Sequence, residues 1–219
     1  MKAKTEKWVI GITGLSGSGK TYFIERIKEQ LQEKVAVISF DDYYKPLHEQ
    51  QTDENGITNF DLPEALYHQQ FHEDLLRLME DKPVLLKKYN FENYDAPERV
   101  DIIDPAPVII AEGLFVFDFP DIDQLLSCRI FIEADMQLSL ERRLERDMRE
   151  RGIPKERSLY QWHNHVMPAW DKHIVPHKNR CDLHIINDGP AEGNTRKILQ
   201  HIVQNAHPEV LKEIADKWQ

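Results

Sequence analysis

Apolar positions along this chain fall into two alternating patterns. Short, mainly apolar runs at 8–13, 35–40, 108–111, 129–132 and 183–186 read as strands, those at 8–13 and 108–111 as buried ones. Between them lie longer stretches with helical periodicity. In 21–33, Phe23, Ile24, Ile27 and Leu31 share one face, and 61–80 predicts a helix with Asp61 as N-cap and Pro63 in its first turn. Asp135 caps another helix that reaches Arg151 and is broken by Gly152-Ile153-Pro154, and a further helix fits 158–174 with an interruption at Pro168. Residues 43–60 read as a polar loop turning at Asn55-Gly56, 84–89 and 100–103 as a small antiparallel excursion, and the C-terminus as helical. This alternation predicts an α/β fold with a five-stranded, mainly parallel sheet covered by helices.

Charge changes the picture. The formal net charge of −10 over 219 residues argues against broad attraction to a nucleic acid polymer or an anionic membrane, so any anionic ligand needs locally concentrated cations. Cys128 and Cys181 lack a CxxC or metal-ligand spacing and read as free thiols of a reducing compartment. The polar start at 1–7 has no apolar run behind it, and no stretch approaches membrane-span length, so the expectation is no signal peptide, no membrane span and a cytoplasmic location.

Gly14-Leu15-Ser16-Gly17-Ser18-Gly19-Lys20-Thr21 matches G-x-x-x-x-G-K-[ST] between a buried strand and an amphipathic helix. At average composition a chance match in a chain of this length is on the order of 1%, so the motif is read as a phosphate cradle. Its backbone N–H groups surround phosphate, Lys20 reaches the β- and γ-phosphates, and the Thr21 hydroxyl binds magnesium. The implied ligands are ATP and Mg2+, and the fold becomes a P-loop NTPase three-layer fold.

Open parallel sheets bind ligands beyond the carboxyl ends of their strands. Asp41 and Asp42 follow the second strand, and Glu112 follows 108–111. Phosphoryl transfer to an alcohol needs one carboxylate to orient the hydroxyl and take its proton, and another to hold magnesium directly or through water. In the helix after Asp135, Leu140, Leu144 and Met148 line one face, with Arg142, Arg143, Arg146 and Arg149 roughly opposite. These arginines read either as a solvated face, paired with Asp147 and Glu150, or as a face that meets an anion. The break at Gly152 and Pro154 suits a hinged lid. The organisation expected is one P-loop kinase domain, 1–219, with an approximate lid at 146–160 and a substrate-side insertion at 84–104.

Taken with Phe40-Asp41-Asp42-Tyr43-Tyr44, Asn59-Phe60-Asp61-Leu62-Pro63-Glu64-Ala65, Glu112-Gly113 and the R-R-L-E-R-D-M-R-E-R-G stretch at 142–152, the motif resembles the uridine-cytidine kinase group of P-loop nucleoside kinases. Residues 162–181 resemble the helix after the lid in that group. The resemblance implies ATP- and magnesium-dependent phosphorylation of a ribonucleoside 5′-hydroxyl, uridine or cytidine. By position it implies Asp41 as catalytic base, Thr21 and Glu112 at magnesium, Asp61 on the ribose 2′- and 3′-hydroxyls and Phe60 beside the nucleoside. It further implies Arg143 on the ribose side, Arg146 and Arg151 on the phosphates, Gln161 near the nucleoside, and a homo-oligomer, dimer or tetramer.

The base-reading stretch departs from the group's Y-D-F-x-x-H-x-R. Tyr89 and Phe91 keep their places, Tyr94 replaces the histidine and Ala96 the arginine, while Ile153 replaces an arginine after the lid. Tyr94 favours cytidine if it accepts from the 4-amino group. Asp41-Asp42-Tyr43-Tyr44-Lys45-Pro46 and Thr52-Asp53-Glu54-Asn55-Gly56 also resemble nicotinamide riboside kinases, and another small alcohol is a further acceptor class. A nucleotide-dependent switch has no use for a ribose-type acid such as Asp61, and a degenerate sensor is expected to have lost Lys20, Asp41 or Glu112. His163, His165, His173 and His177 read as surface residues near the lid, His68 and His72 as structural or exposed, and Trp162 and Trp170 as core or subunit-contact residues.

Overall fold

The computed structural model describes residues 7–89 and 99–206, the side chain of Glu33 aside. In chain order the elements are β1 (Trp8–Gly14), α1 (Lys20–Leu31), β2 (Val35–Ser39), α2 (His68–Met79), β3 (Val84–Lys88), β4 (Arg99–Ile103) and β5 (Val108–Glu112). There follow α3 (Pro120–Asp123), β6 (Cys128–Glu133), α4 (Met136–Arg151), α5 (Lys155–Gln161), α6 (Met167–Ala169), β7 (Leu183–Ile186) and α7 (Ala191–Asn205).

β1 is buried along its whole length because it is the central strand of a five-stranded sheet, order β2-β5-β1-β6-β7. All four pairings in this sheet are parallel. The strands' period of two sends alternate residues into different cores. Trp8, Ile10 and Ile12 pack with Phe23 and Ile27 of α1 and Ile198 and Ile202 of α7, whereas Val9, Ile38 and Ile109 pack with Phe71, Leu75 and Leu78 of α2. Helices therefore cover both faces. Parallel pairing also brings the carboxyl ends of β1, β2, β5, β6 and β7 to one edge, where the loops that follow them meet. β3 and β4 form a separate antiparallel pair, with Leu85 opposite Ile102.

Two sequence expectations are corrected. Asp61 does not cap α2, which starts at His68 behind Tyr67 and is preceded by a 3-10 turn at Pro63–Ala65. Asp-Leu-Pro carries the local grammar of a helix start, but Leu62 is extended and the Asp61 side chain is only 7% exposed. The helical stretch from α5 to Arg180 does not break at Pro168. It widens into π turns at Trp162–Val166 and Trp170–Ile174, and these longer turns make room for the proline ring.

α4 buries Ser139, Arg143 and Asp147, while Met148 is 64% exposed. A helix facing an anion-binding edge buries its polar stripe, so the apolar stripe is not its inner face. Asp135 caps α4 as expected, accepting from the N–H groups of Gln137 and Leu138 at 2.9 and 3.1 Å. Trp162 and Trp170 are core residues packed with Leu15, Phe131 and Ile174. Cys128 is buried, Cys181 half-buried, and both are free. Among the described residues no helix is long and apolar enough to cross a membrane.

Candidate active site

The loop between β1 and α1 is shaped by close approaches. Gly17 has φ 82°, and a Cβ there would lie 2.2 Å from the Ser139 carbonyl oxygen, so α4 packs directly on the loop. The Gly14 backbone likewise abuts the Ile132 carbonyl oxygen, 2.0 Å from where a Cβ would stand. From the β7 side the Asn187 amide donates to the Ser18 carbonyl at 2.9 Å. Lys20 folds back over the loop and donates to the Gly14 and Leu15 carbonyls at 2.8 and 3.3 Å. Burial lowers its pKa, while the charges of Glu112 and Asp41 raise it and that of Arg146 lowers it further.

β2 and β5 end side by side, Ser39 in register with Glu112. The Ser39 hydroxyl donates to Glu112 Oε1 and accepts from the Asp41 backbone N–H at 3.2 Å, so one serine links the Glu112 carboxylate to the Asp41 backbone. Burial, with the charge of Asp41 next, raises Glu112 to about 7 against its hydrogen bond from Ser39 and the charge of Lys20. Lys88 pairs with the neighbouring Asp42 at 2.6 Å, tying β3 to this edge.

α4 contributes its arginines through one buried anion. Asp147 is fully buried; Arg143 Nε lies 3.2 Å from its Oδ2, Arg146 Nη2 3.0 Å and Arg151 Nη1 3.7 Å from its Oδ1. The Ser158 hydroxyl donates to Oδ2 at 2.7 Å, which ties α5 to α4 across Gly152. Burial opposes the charge on Asp147, but Arg143 and the other partners outweigh it and hold its carboxyl below the usual range. Arg143 and Arg146 also reach the Ser16 hydroxyl at 3.2 and 3.4 Å. Thus Arg143 and Arg146 are aimed at the phosphate loop.

Asp61 sits in the same region. Burial raises its pKa, against the charges of Arg143, His165, Arg146 and Arg151 in that order. Tyr44 packs edge-on against Phe60, with ring centroids 5.6 Å apart, and lies 5.5 Å from the Tyr89 ring.

These groups share a cleft of about 730 Å³. It is lined by Ser16, Gly17, Gly19, Lys20 and Thr21 of the loop, by Asp41, Phe60, Asp61 and Glu112, and by Arg143, Arg146, Arg151 and Gln161. Arg142, Arg149 and Arg157 join them against Glu150, so the walls are net positive in a chain of charge −10. Gly14, Leu15 and Ser18 do not line the cleft, Leu15 and Ser18 being buried, and Tyr89 stands behind Tyr44 without lining it. Phe91, Tyr94 and Ala96 lie outside the described residues. Sequence reasoning missed Ser39, Asn187, Ser158 and the central place of Asp147. It also missed His165, expected at the surface but only 2% exposed. Only Asp147 left a signal, standing four residues from both Arg143 and Arg151.

The oxygens fit magnesium. That ion favours one or two carboxylates shared with substrate phosphates and water over an all-protein cage. Thr21 and Glu112 line one cleft, and the raised Glu112 is a carboxylate whose charge a hard cation would stabilise. Among the described residues no three His, Cys, Asp or Glu side chains converge as a metal cage.

Comparison with known proteins agrees with this geometry. Residues 9–192 match the Phosphoribulokinase / Uridine kinase family. The chain is 35% identical over 191 residues to a uridine kinase of Borrelia turicatae, covering 87% of this chain and 90% of that protein. It is 31% identical over 196 residues to uridine-cytidine kinase B of Dictyostelium discoideum, covering 89% and 81%. Among solved structures, phosphoribulokinase from Rhodobacter spheroides shares the fold with a TM-score of 0.60 at 18% identity, over 84% of this chain and 71% of that one. The chain belongs to the phosphoribulokinase/uridine kinase family and is an ATP-dependent kinase.

Proposed function

We propose that the protein transfers the γ-phosphoryl group of ATP to the 5′-hydroxyl of a ribonucleoside, uridine or cytidine before others. One observation carries this reading: a phosphate loop and two carboxylates in different surroundings line the same cleft, Asp41 beside Lys20 and Glu112, Asp61 buried among arginines. A carboxylate beside the loop suits proton abstraction. A buried carboxylate next to Phe60 suits a ligand that brings vicinal hydroxyls and a flat ring. The names of the relatives, uridine kinase and uridine-cytidine kinase, support the same acceptor.

In this reading Asp61 grips the ribose 2′- and 3′-hydroxyls, with Phe60 beside the nucleoside and Arg143 and Gln161 nearby. The 5′-hydroxyl then lies between Asp41 and the γ-phosphorus. Its proton passes to Asp41 as its oxygen bonds to phosphorus, and the bond to the β,γ-bridging oxygen breaks to release ADP. The loop from Gly14 to Thr21 cradles the phosphates, with Lys20, Arg146 and Arg151 on the charge that spreads over the transferred group. Thr21 and Glu112 would hold magnesium, which when bound neutralises phosphate charge. The lid at 146–160 hinges at Gly152, which has a left-handed φ of 61°. Tyr94, in place of a base-reading histidine, biases the choice toward cytidine. The enzyme works in the cytoplasm, as a dimer or tetramer, on small molecules alone.

Acceptor-dependent ADP release with ATP and magnesium tests the reading against uridine, cytidine, purine ribonucleosides, nicotinamide riboside, pantothenate and ribulose 5-phosphate. Cytidine and uridine are expected to give the highest kcat/KM. Turnover confined to a non-nucleoside alcohol would refute the acceptor, and a higher kcat/KM for nicotinamide riboside would reassign it.

A further inference from the structure

Loop 51–59 and the helical stretch that begins with α5 meet in a cluster outside the cleft lining. The loop is a closed turn: Asp53 N–H donates to the Ile57 carbonyl and Asn59 N–H to the Gln51 carbonyl, each at 2.9 Å. Asp53 divides its two oxygens. Oδ1 accepts from the N–H groups of Asn55 and Ile57, both at 2.9 Å, and so builds the turn. Oδ2 accepts from the Tyr160 hydroxyl at 2.8 Å and lies 2.7 Å from His165 Nε2, so it ties the turn to the helix. Asn55 adds a second tie, its amide donating to the Tyr160 hydroxyl at 2.7 Å.

Both partners lead into the cleft. The loop's outgoing end is Asn59, whose Oδ1 accepts from the Asp61 N–H at 2.9 Å, so the turn's position is passed to Phe60 and Asp61. On the helix, Gln161 follows Tyr160 and precedes His165 by one turn. Gln161 lines the cleft, and its Oε1 is buried without a partner among the described residues. His165 sits in the π turn Trp162–Val166, with its side chain 1% exposed. A buried imidazole held by a carboxylate keeps its N–H on the held nitrogen and cannot swing, which makes it a rigid spacer.

We propose that Asp53 and His165 form a latch that sets the distance between the two walls of the acceptor half of the cleft, Phe60–Asp61 on one side and Gln161 on the other. Both are positioning residues. The inference rests on the reading that the acceptor binds between Asp61 and Gln161.

The test uses the full chain with ATP, magnesium and the nucleoside that the unaltered enzyme turns over. His165→Phe fills the space without a donor, His165→Gln restores an N–H for Asp53, and Asp53→Asn keeps the turn while removing the Oδ2 acceptor. The latch predicts that His165→Phe and Asp53→Asn raise acceptor KM about tenfold or more, lower kcat by less than about threefold and leave ATP KM unchanged. His165→Gln should recover most of the loss. Hydrogen exchange without substrate should show faster exchange at 51–59 and 155–166 in His165→Phe. Unaltered acceptor KM and unaltered exchange in His165→Phe and Asp53→Asn would overturn the latch. A joint loss of kcat and both KM values, with His165→Gln as impaired as His165→Phe, would overturn the positioning role. If the unaltered enzyme phosphorylates no nucleoside, the acceptor reading fails, and the exchange data still decide whether the latch exists.

Discussion

Replacing Asp147 by asparagine keeps the shape of a fully buried side chain and removes the carboxylate paired with Arg143, Arg146 and Arg151. Arg143 is the costly orphan, since its side chain is 8% exposed; Arg146 and Arg151, at 31% and 22%, recover some hydration. Breaking a buried pair costs about 3–5 kcal/mol, and the partial exposure of two arginines points to the lower end. For a chain of this length each kcal/mol moves Tm by about 2–4 °C, so Asp147→Asn should melt roughly 6–12 °C below the unaltered protein in thermal unfolding followed by circular dichroism without nucleotide. ATP with magnesium offers Arg143 and Arg146 a new anion, so its addition should raise the variant's Tm by more than it raises that of the unaltered protein. A Tm within about 2 °C of the unaltered protein, or an ATP-induced rise no larger in the variant, would refute the assignment of Asp147 as the anion that organises the arginines.

Asp61→Asn should raise acceptor KM about 10- to 100-fold, because a hydrogen bond to a charged group contributes about 1.5–3 kcal/mol. Burial already disfavours that charge, so Tm should stay equal or rise, checked by calorimetry. Gly17→Ala imposes a left-handed residue, costing about 1–3 kcal/mol, and drives a Cβ to 2.2 Å from the Ser139 carbonyl; lower Tm and weakened ATP binding by titration calorimetry are expected. Asp53 is pushed up by burial, but hydrogen bonds from the Ile57 N–H, His165, Tyr160 and the Asn55 N–H outweigh this and bring it to about 2, below its ordinary 3.8. A carboxyl lowered by folding stabilises fully above its unfolded value and loses that contribution as pH falls toward the folded one. Melting between pH 4 and 2 should therefore depend less on pH in Asp53→Asn.

The middle of the sheet was legible because β1 and β5, buried almost throughout, leave near-continuous apolar runs, and the phosphate loop because its spacing is contiguous in sequence. The inner face of α4 was not, since periodicity finds apolar stripes and this helix turns Ser139, Arg143 and Asp147 inward. Asp61 was read as a helix cap from its neighbours alone, because burial beside arginines distant in sequence leaves no local mark. The same holds for Ser39 on Glu112 and Asn187 on Ser18, contacts that span 73 and 169 residues. Their supporting role follows only from strand order, which brings the ends of β2 and β5 together and sets β7 beyond β6 at the same edge.

Catalysis by Asp41 is tested most directly by single-turnover phosphorylation of uridine or cytidine with saturating ATP and magnesium, comparing Asp41→Asn with the unaltered enzyme. A general base contributes about 10²- to 10⁴-fold, so the rate should fall by that factor while ATP affinity, read separately by calorimetry, stays the same. An unchanged phosphoryl-transfer rate in Asp41→Asn would contradict the account.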